Sequence, residues 1–283
     1  MSDYARPEAL VETDWLAQHL SDPNVRVFEV DVDTAAYEQG HVTGAIGLNW
    51  KTDLQQQPVR DLIAKRQLEE LLSRHGVTPR TTIAVYGDNN NWFAAWFFWL
   101  LRYYGHGDVR LVNGGRAKWV AEGRSLTTET PSYERAEYRA KDADRSIRAL
   151  RDQVLATVTG NGTKLVDVRS PKEFAGELLA PENLPQEGAQ RGGHIPGAQN
   201  IPWASAVAED GRFKSADELR TLYGGRGITA QAETIAYCRI GERSAHTWFV
   251  LSELLGHERV RNYDGSWTEW GSLIGVPIEK GAS

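Results

Sequence analysis

The chain of 283 residues is 41% hydrophobic and 25% charged, the composition of a globular protein with room for two ordinary domains. Its formal net charge of −6 argues against nucleic acid as the main partner, and the single cysteine excludes an intramolecular disulfide. No histidine or cysteine cluster has metal spacing, so we expect neither a metal nor another cofactor. The start lacks a signal-peptide pattern and the longest apolar run, 92–101, is about half a membrane span, which predicts a cytoplasmic protein that does not bind membranes.

Strand and helix patterns alternate along the first half of the chain. Short runs rich in Val, Ile and Leu predict strands, and runs with helical apolar spacing predict helices. The predicted strands are 25–30, 82–86 and 109–112, and the predicted helices are 67–75 and 92–104. A polar, charged stretch without apolar period follows at 124–146 and predicts a linker between a first domain, 1–123, and a second, 147–283.

The second half repeats the alternation. Strands are predicted at 164–168, 234–237 and 259–261, and helices at 215–223 and 246–255, the first opened by a Ser215-x-x-Glu218 capping box. We expect an α/β fold in which each domain has a central, mainly parallel sheet with helices on both faces and ligands at the carboxyl ends of the strands. The proline-containing stretch 176–193 is either a solvated insertion or a lid beside the site.

Internal repetition supports two copies of one domain. The run 40–45, GHVTGA, returns as GHIPGA at 193–198, an offset of 193 − 40 = 153 residues. The runs GVT at 76–78 and GIT at 227–229 are separated by 227 − 76 = 151 residues. Residues that both copies share are explained by the fold, so residues found in one copy only are candidates for chemistry.

The stretch 234–251, TIAYCRIGERSAHTWFVL, contains the only cysteine. It predicts a strand that ends at Cys238, a tight turn through Gly241, and a helix capped by Ser244. Inward-pointing N–H groups in such a turn form an anion cradle, to which Arg239 and Arg243 add positive charge. This environment predicts a lowered thiol pKa and a thiolate at neutral pH.

The first copy provides an internal control for this loop. It has Gly87 in place of Cys238 and Trp92 in place of Arg243, so we expect it to be catalytically inactive. Histidine pairs that recur in both copies, His41 with His194 and His106 with His257, are interpreted as packing residues. His246 is unique to the second copy but lies about two helical turns beyond the cysteine, too far to be its base.

Arg169 is a further candidate because its counterpart in the first copy is Asp31. It follows a strand that should end on the same side of the sheet as Cys238. It either pairs with a nearby carboxylate such as Glu173 or lines the substrate pocket. Asp167 aligns with Glu29, so an acid at this place is common to both copies and is expected to hold the backbone.

The loop CRIGER followed by Ser, together with GHIPGA at 193–198, DVRS at 167–170 and NYDGSW at 262–267, resembles two-domain rhodaneses, especially actinobacterial members. The resemblance implies tandem rhodanese-like domains of which only the second is active, and a persulfide carried on Cys238. It also implies that Arg243 binds an anionic sulfur donor. Chemically, Arg239 and the loop N–H groups suit the sulfonate of thiosulfate, with Ile240, Gly241, Glu242 and Ser244 supporting the loop.

The expected activity is transfer of a sulfane sulfur from thiosulfate to a thiophilic acceptor, cyanide or a thiol. A 3-mercaptopyruvate sulfurtransferase is the nearest alternative, although the family's loop is typically uncharged whereas this one carries two arginines. A cysteine phosphatase needs Cys-x5-Arg, but position 244 is Ser. A non-catalytic module that binds an anion or a partner is the third reading. The sequence identifies neither the physiological donor and acceptor nor the oligomeric state.

Overall fold

The computed structural model describes residues 3–160, 162–180 and 188–281. The chain divides into two compact units. The N-terminal unit contains Glu8–Asp144 together with Glu209–Phe213, and the C-terminal unit contains the residues before Glu8 together with Arg145–Ala208 and Lys214 onward. No described helix combines the length and the apolar character that crossing a membrane requires.

A five-stranded, fully parallel sheet forms the centre of the N-terminal unit, in the order β1-β7-β6-β2-β3. Its strands are β1 (Leu10–Val11), β2 (Val25–Asp31), β3 (Ala45–Asn49), β6 (Thr82–Tyr86) and β7 (Val109–Val112), and β4 (Gln55–Gln56) pairs with β5 (Asp61–Leu62) in an antiparallel hairpin. The helices are α1 (Thr13–His19), α2 (Ala35–Gln39), α3 (Trp50–Asp53), α4 (Lys65–Arg74), α5 (Trp92–Tyr103) and α6 (Gly115–Ala121).

The C-terminal unit has a four-stranded parallel sheet in the order β11-β10-β8-β9. Its strands are β8 (Thr163–Asp167), β9 (Gln199–Asn200), β10 (Glu233–Tyr237) and β11 (Val260–Asn262), and its helices are α7 (Arg151–Thr159), α8 (Pro171–Ala175), α9 (Ala216–Gly224), α10 (Glu242–Phe249) and α11 (Ser266–Trp270). A π-helical turn, Val250–Leu254, extends α10. Two parallel sheets surrounded by helices confirm the predicted fold class, and Ser215 forms the predicted capping box of α9.

The internal repeat is visible in the strand positions. The bounds of β10 are those of β6 displaced by 233 − 82 = 151 residues. Tyr86 pairs with Glu29 in one sheet, and Tyr237 pairs with Asp167 in the other. Each tyrosine hydroxyl accepts a hydrogen bond from the equivalent loop N–H, that of Val42 at 3.0 Å and that of Ile195 at 3.1 Å. Both copies therefore share the register of the central strands and the buried polar contact beside them.

The stretch predicted as a linker, 124–146, lies largely on the N-terminal unit, to which its residues as far as Asp144 belong. Thr127 and His41 exchange backbone hydrogen bonds of 2.8 Å, and Tyr138 is buried. The second copy has the equivalent bridge between His194 and the backbone of its own C-terminal segment at residue 279. The first part of the predicted linker is thus a repeated extended segment of the domain. The polar sequence did not reveal this segment, because hydrogen bonds between backbone groups do not require regularly spaced apolar side chains.

The stretch 176–193, interpreted from the sequence as a solvated insertion or a lid, is described only at its two ends, since 181–187 fall outside the described residues. Gly176 approaches the backbone of Gly192 and Gly193 so closely that a Cβ on Gly176 would lie 2.8 Å from the Gly193 nitrogen. Arg191 N donates to Gly271 O at 3.2 Å, which fixes the second end. The role of the stretch as a lid remains a hypothesis.

Candidate active site

Cys238 is the first residue after β10, at the carboxyl edge of the parallel sheet, as the sequence predicts. Its N–H donates to Ser266 Oγ at 3.0 Å, and its carbonyl accepts from Trp267 N at 3.1 Å. The start of α11 thus holds the cysteine main chain on both sides. Parallel sheets place ligands at this edge, so Cys238 stands where the fold favours a binding site.

The turn after Cys238 depends on Gly241, which is the N-cap of α10 and has φ of +99°. A Cβ there would lie 2.7 Å from Asp264 Cα, so both the backbone conformation and the space exclude a side chain. The helix begins at Glu242 and not at Ser244, contrary to the prediction. The Ser244 hydroxyl instead lies 2.7 Å from Asn262 Oδ1, which links the first turn of α10 to β11.

Three groups surround the Cys238 sulfur. Gly241 N donates to Sγ at 3.1 Å, as the predicted cradle requires. The thiol donates to Glu242 Oε2, also at 3.1 Å, and Ser244 Oγ lies 3.6 Å away. Cys238 and Glu242 are both fully buried. Among its contacts, the sulfur thus has an amide donor, Gly241 N, and a carboxylate acceptor, Glu242.

The pKa of the Cys238 thiol is raised, not lowered, so the prediction of a neutral-pH thiolate is wrong for this structure. Complete burial is the largest cause, and the neighbouring Glu242 carboxylate adds to it, whereas Arg243 acts in the opposite direction. The sequence reasoning counted the cations of the loop but not its anion. The resting sulfur is therefore a protonated, hydrogen-bonded thiol.

Arg243 is buried and engaged by two carboxylates. Its Nη1 and Nη2 donate to the two oxygens of Glu173 at 2.9 and 3.0 Å, and its Nε lies 3.4 Å from Glu242 Oε1. Burial alone would raise the pKa of Glu173, but the hydrogen bonds and charge of Arg243 lower it. Arg243 therefore joins α8 to α10 and compensates the acid beside the thiol.

Arg169 is also buried, but its partner is Asp167 and not Glu173. Its Nη2 lies 2.5 Å from Asp167 Oδ2 and donates to Gly193 O at 2.7 Å, while its guanidinium stacks over Trp267. In the first copy Arg116, at the position of Trp267, forms the same contacts with the equivalent acid, Glu29, and the equivalent carbonyl, Gly40 O. Each copy thus neutralises its buried acid with an arginine from a different element, which favours a structural role for Arg169.

Arg239 and Ile240 are the remaining residues of the predicted loop. Both are fully buried. The carbonyl of Arg239 accepts from Thr268 N at 2.9 Å, a second link from the loop to α11. The structure thus brings Cys238, Gly241, Glu242 and Ser244 into mutual contact and fixes the Arg239 backbone beside them.

The equivalent loop of the first copy is filled by an asparagine. Asn91, at the position of Glu242, accepts from Gly87 N at 3.0 Å and donates to Val112 O at 2.7 Å. In the second copy Ser266 Oγ accepts the corresponding N–H, that of Cys238. The Glu242 side chain is therefore not needed for this hydrogen bond and instead contacts the sulfur. Ser266 replaces Gly115 and has φ of +51°, a conformation that a serine adopts only under strain.

The histidines have the structural roles that the repeat indicates. His41 stacks on Tyr37, and His194 stacks on Phe174. His246 packs edge-on against Trp203, and burial lowers its pKa to about 3. Among the described residues, no cluster of three or more His, Cys, Asp or Glu side chains is placed to hold a metal ion.

Sequence reasoning missed the contacts that Glu173 and Ser266 make in this site. Both positions differ between the copies, since Glu173 aligns with Ala35 at the offset of 138 residues that relates Arg169 to Asp31, and Ser266 aligns with Gly115. The signal was therefore present in the repeat. It was overlooked for Glu173 because Arg243, its partner, is 70 residues away and Arg169 lies nearer in the chain.

Comparison with known proteins defines the class to which this fold and loop belong. The family described as Rhodanese-like domain matches twice, over residues 12–122 and 150–273. The chain therefore belongs to the rhodanese family, as a tandem member.

Individual relatives cover nearly the whole chain. It is 56% identical over 282 residues to "Sulfur carrier protein TtuD" of Thermus thermophilus, covering 98% of this chain and 99% of the relative. It is 55% identical over 279 residues to "Putative thiosulfate sulfurtransferase" of Mycolicibacterium smegmatis, covering 98% and 100%. The fold also matches the anaerobic ergothioneine biosynthesis enzyme of Chlorobium limicola, with a TM-score of 0.87, 24% identity and coverage of 100% of this chain and 72% of the other. The Thermus and Mycolicibacterium relatives support a sulfurtransferase activity, and the Chlorobium enzyme supports the fold.

Proposed function

We propose that this protein is a thiosulfate sulfurtransferase in which Cys238 carries the sulfane sulfur as a persulfide. The observation that carries the proposal is the sole cysteine of a rhodanese-family chain, which stands at the carboxyl edge of the C-terminal sheet with Gly241 N 3.1 Å from its sulfur. Sulfur is a soft nucleophile that attacks the outer sulfur of thiosulfate and expels sulfite. The N-terminal copy, with Gly87 at this position, serves no sulfur transfer.

Arg243 and Arg239 are the cations proposed to bind the sulfonate of the donor. Cys238 is fully buried, so a donor reaches the sulfur only when the residues around it move. Arg243 then exchanges part of its contact with Glu173 for the sulfonate oxygens, a replacement of one charge-assisted bidentate contact by another. A thiophilic acceptor, cyanide or a thiol, removes the sulfur in the second half of the reaction.

Intact-protein mass spectrometry after treatment with thiosulfate tests the proposal. We expect one added sulfur atom, removed by cyanide and absent in Cys238→Ser. Arg243→Ala should reduce turnover or thiosulfate affinity strongly, whereas Arg102→Ala, in the N-terminal unit, should change little. Unmodified protein after treatment, or sulfur that persists in Cys238→Ser, would contradict the proposal.

3-Mercaptopyruvate is the second candidate donor, and one contact favours it. Glu242 Oε2 lies 3.1 Å from the sulfur, and a fixed carboxylate at that distance repels a dianion more than a monoanion. The two buried arginines argue for thiosulfate. Turnover with the two donors, measured side by side with cyanide as acceptor, decides between them.

A further inference from the structure

We propose that Glu242 is a catalytic acid and base that takes the proton of the Cys238 thiol and passes it to the departing sulfite. This inference rests on the proposed function and assigns the proton transfers that this function requires. Its basis is the direct contact of 3.1 Å between Sγ and Oε2, formed by two fully buried side chains four residues apart, at the two ends of the turn between β10 and α10. A general base must lie within hydrogen-bond reach of the proton that it removes, and Glu242 does.

Burial explains why the base has to be local. A solvent-generated thiolate in this interior would be an added buried charge, which is costly. Transfer of the proton from Cys238 to Glu242 moves the existing negative charge by one hydrogen bond and creates none. Arg243 Nε, 3.4 Å from the other oxygen of Glu242, compensates that charge in both states.

The local contacts also free the acid for this role. In the first copy the side chain equivalent to Glu242, that of Asn91, is occupied by the N–H of Gly87. In the second copy the strained Ser266 accepts the equivalent N–H. Conformational strain at a functional site is retained where the contact that it provides is needed.

The transfer step balances without an external oxidant. The thiol proton moves to Glu242, and the sulfur lone pair forms a bond to the outer sulfur of thiosulfate. The sulfur–sulfur bond of thiosulfate breaks, and its electron pair leaves with sulfite, which takes the proton from Glu242 and departs as hydrogensulfite. A thiol and a dianion become a persulfide anion and a hydrogensulfite anion, so proton count and charge are conserved.

Glu242→Gln separates a proton-transfer role from a structural one. In this variant the thiolate should form more easily, yet persulfide formation should become slower. Loss of the carboxylate charge should lower the pKa of the Cys238 thiol, read from the ultraviolet absorbance of the thiolate with Cys238→Ser as blank. The rate of persulfide formation at neutral pH should nevertheless fall about a hundredfold, the usual contribution of general acid–base catalysis. Glu242→Asp should restore part of the rate.

Glu253→Gln is the matched control. Glu253 is 2% exposed, lies about three turns further along the same helix, and pairs with Arg6 at 3.0 Å. Its substitution should change neither the thiol pKa nor the rate. A Glu242→Gln variant that forms persulfide as fast as the parent, or faster, overturns the inference.

The unmodified protein provides a second test if Glu242→Gln does not fold. With an internal acceptor, the rate of persulfide formation stays nearly constant between about pH 6 and 8, although the small thiolate fraction of a thiol with a raised pKa grows about tenfold per pH unit over that range. A rate that rises about tenfold per pH unit overturns the inference. Arg243 lies 3.4 Å from Glu242 and pairs with Glu173, and Asp264, paired with Arg148, packs against the neighbouring Gly241, so these are the charged side chains that the pH profile has to take into account.

The two proposals fail differently. If the parent takes up sulfur at a rate that follows the thiolate fraction, the proposed transferase activity is supported and Glu242 is not its base. If the parent takes up no sulfur but the thiol pKa still falls in Glu242→Gln, the proposed transferase activity is wrong, although the electrostatic coupling between thiol and carboxylate is present.

Discussion

The Arg243–Glu173 pair is the residue-scale feature that separates the two copies most clearly. Both members are buried, and their counterparts in the first copy are Trp92 and Ala35, which cannot form an ion pair. Removing one partner of a buried pair leaves an uncompensated charge, whereas removing both does not. The pair therefore provides a direct test of how burial changes the energy of one contact.

Glu173→Gln and Arg243→Gln should each lower the free energy of unfolding by about 3 kcal/mol, and the double variant by much less than their sum. Denaturant unfolding of all three proteins measures the coupling. Arg135 and Glu70 form a matched bidentate pair with both distances 2.7 Å, but their side chains are more than half exposed. The same cycle there should give almost no coupling, and a coupling equal to that of the buried pair would refute the argument.

Asp31, which occupies the position of Arg169 in the first copy, makes stability depend on pH. Burial raises the pKa of Asp31 to about 9, and the Asp88 carboxylate adds to the effect, whereas Arg116 opposes it. The unfolded state releases this proton near pH 4, while the folded state holds it until about pH 9. Its contribution to stability is therefore lost as pH rises through that window.

Asp31→Asn should raise the melting temperature at pH 8, by roughly 2–4 °C for each kcal/mol gained. Asn keeps an acceptor for the Asp88 N–H, which now lies 2.8 Å from Asp31 Oδ1, and it removes the proton uptake that folding requires of Asp31 at this pH. Thermal unfolding at pH 5 and pH 8 should show the gain shrinking at the lower pH. Glu38→Gln, on the exposed end of α2, should show no such difference, and an equal gain at both pH values would contradict the pKa argument.

At the scale of elements, each predicted strand lies within one residue of an observed one, whereas β1, β3, β4, β5 and β9 and the chemistry of the loop were not predicted. The predicted bounds of β6 and β7 are those observed, because buried strands are short apolar runs with turn residues on both sides. The start of α10 was placed too late, since Gly241 and not a serine ends the turn. The protonation of Cys238 depends on where the Glu242 carboxylate points and on complete burial, and neither is encoded by residue spacing.

Gly241→Ala should disrupt the turn between β10 and α10. The added methyl group meets the backbone of Asp264, and φ of +99° is unfavourable for alanine, so both effects act in the same direction. We expect a loss of stability of about 1–3 kcal/mol and a larger loss of persulfide formation, because the N–H that contacts the sulfur moves. Gly227→Ala is a control with φ of +71° and no neighbour within 4 Å, and a similar loss of persulfide formation there would contradict this explanation.

For the whole molecule, duplication predicted the architecture but not the extent of each unit. The repeat identified two copies, whereas the residues before Glu8 belong with the C-terminal unit and most of the predicted linker belongs with the N-terminal one. Contacts such as the His41–Thr127 bridge join segments 86 residues apart through backbone atoms, which any side chain permits. Sequence similarity between copies therefore defines the repeated core better than the segments around it.

Arg116→Met and Arg169→Met should destabilise the protein to a similar degree, because each leaves a buried acid unpaired in its own unit. Calorimetry of the two variants measures this. Persulfide formation per folded molecule should be unchanged in Arg116→Met. If Arg169→Met kept full stability and lost only thiosulfate affinity, Arg169 would be a substrate ligand, the other of the two roles that its sequence position allows.

The contacts around Gly87 limit how a cysteine loop could be engineered into the N-terminal copy. Transplanting CRIGER onto residues 87–92 would put a Cβ at position 87 only 2.5 Å from Val30 O, and would import a guanidinium that meets Ala35 where its carboxylate should be. It would also delete Asn91, which now fastens that turn to Val112. A reactive thiol in the N-terminal copy would thus require changes at several positions that are distant in the chain, and we expect a six-residue graft alone to misfold the turn.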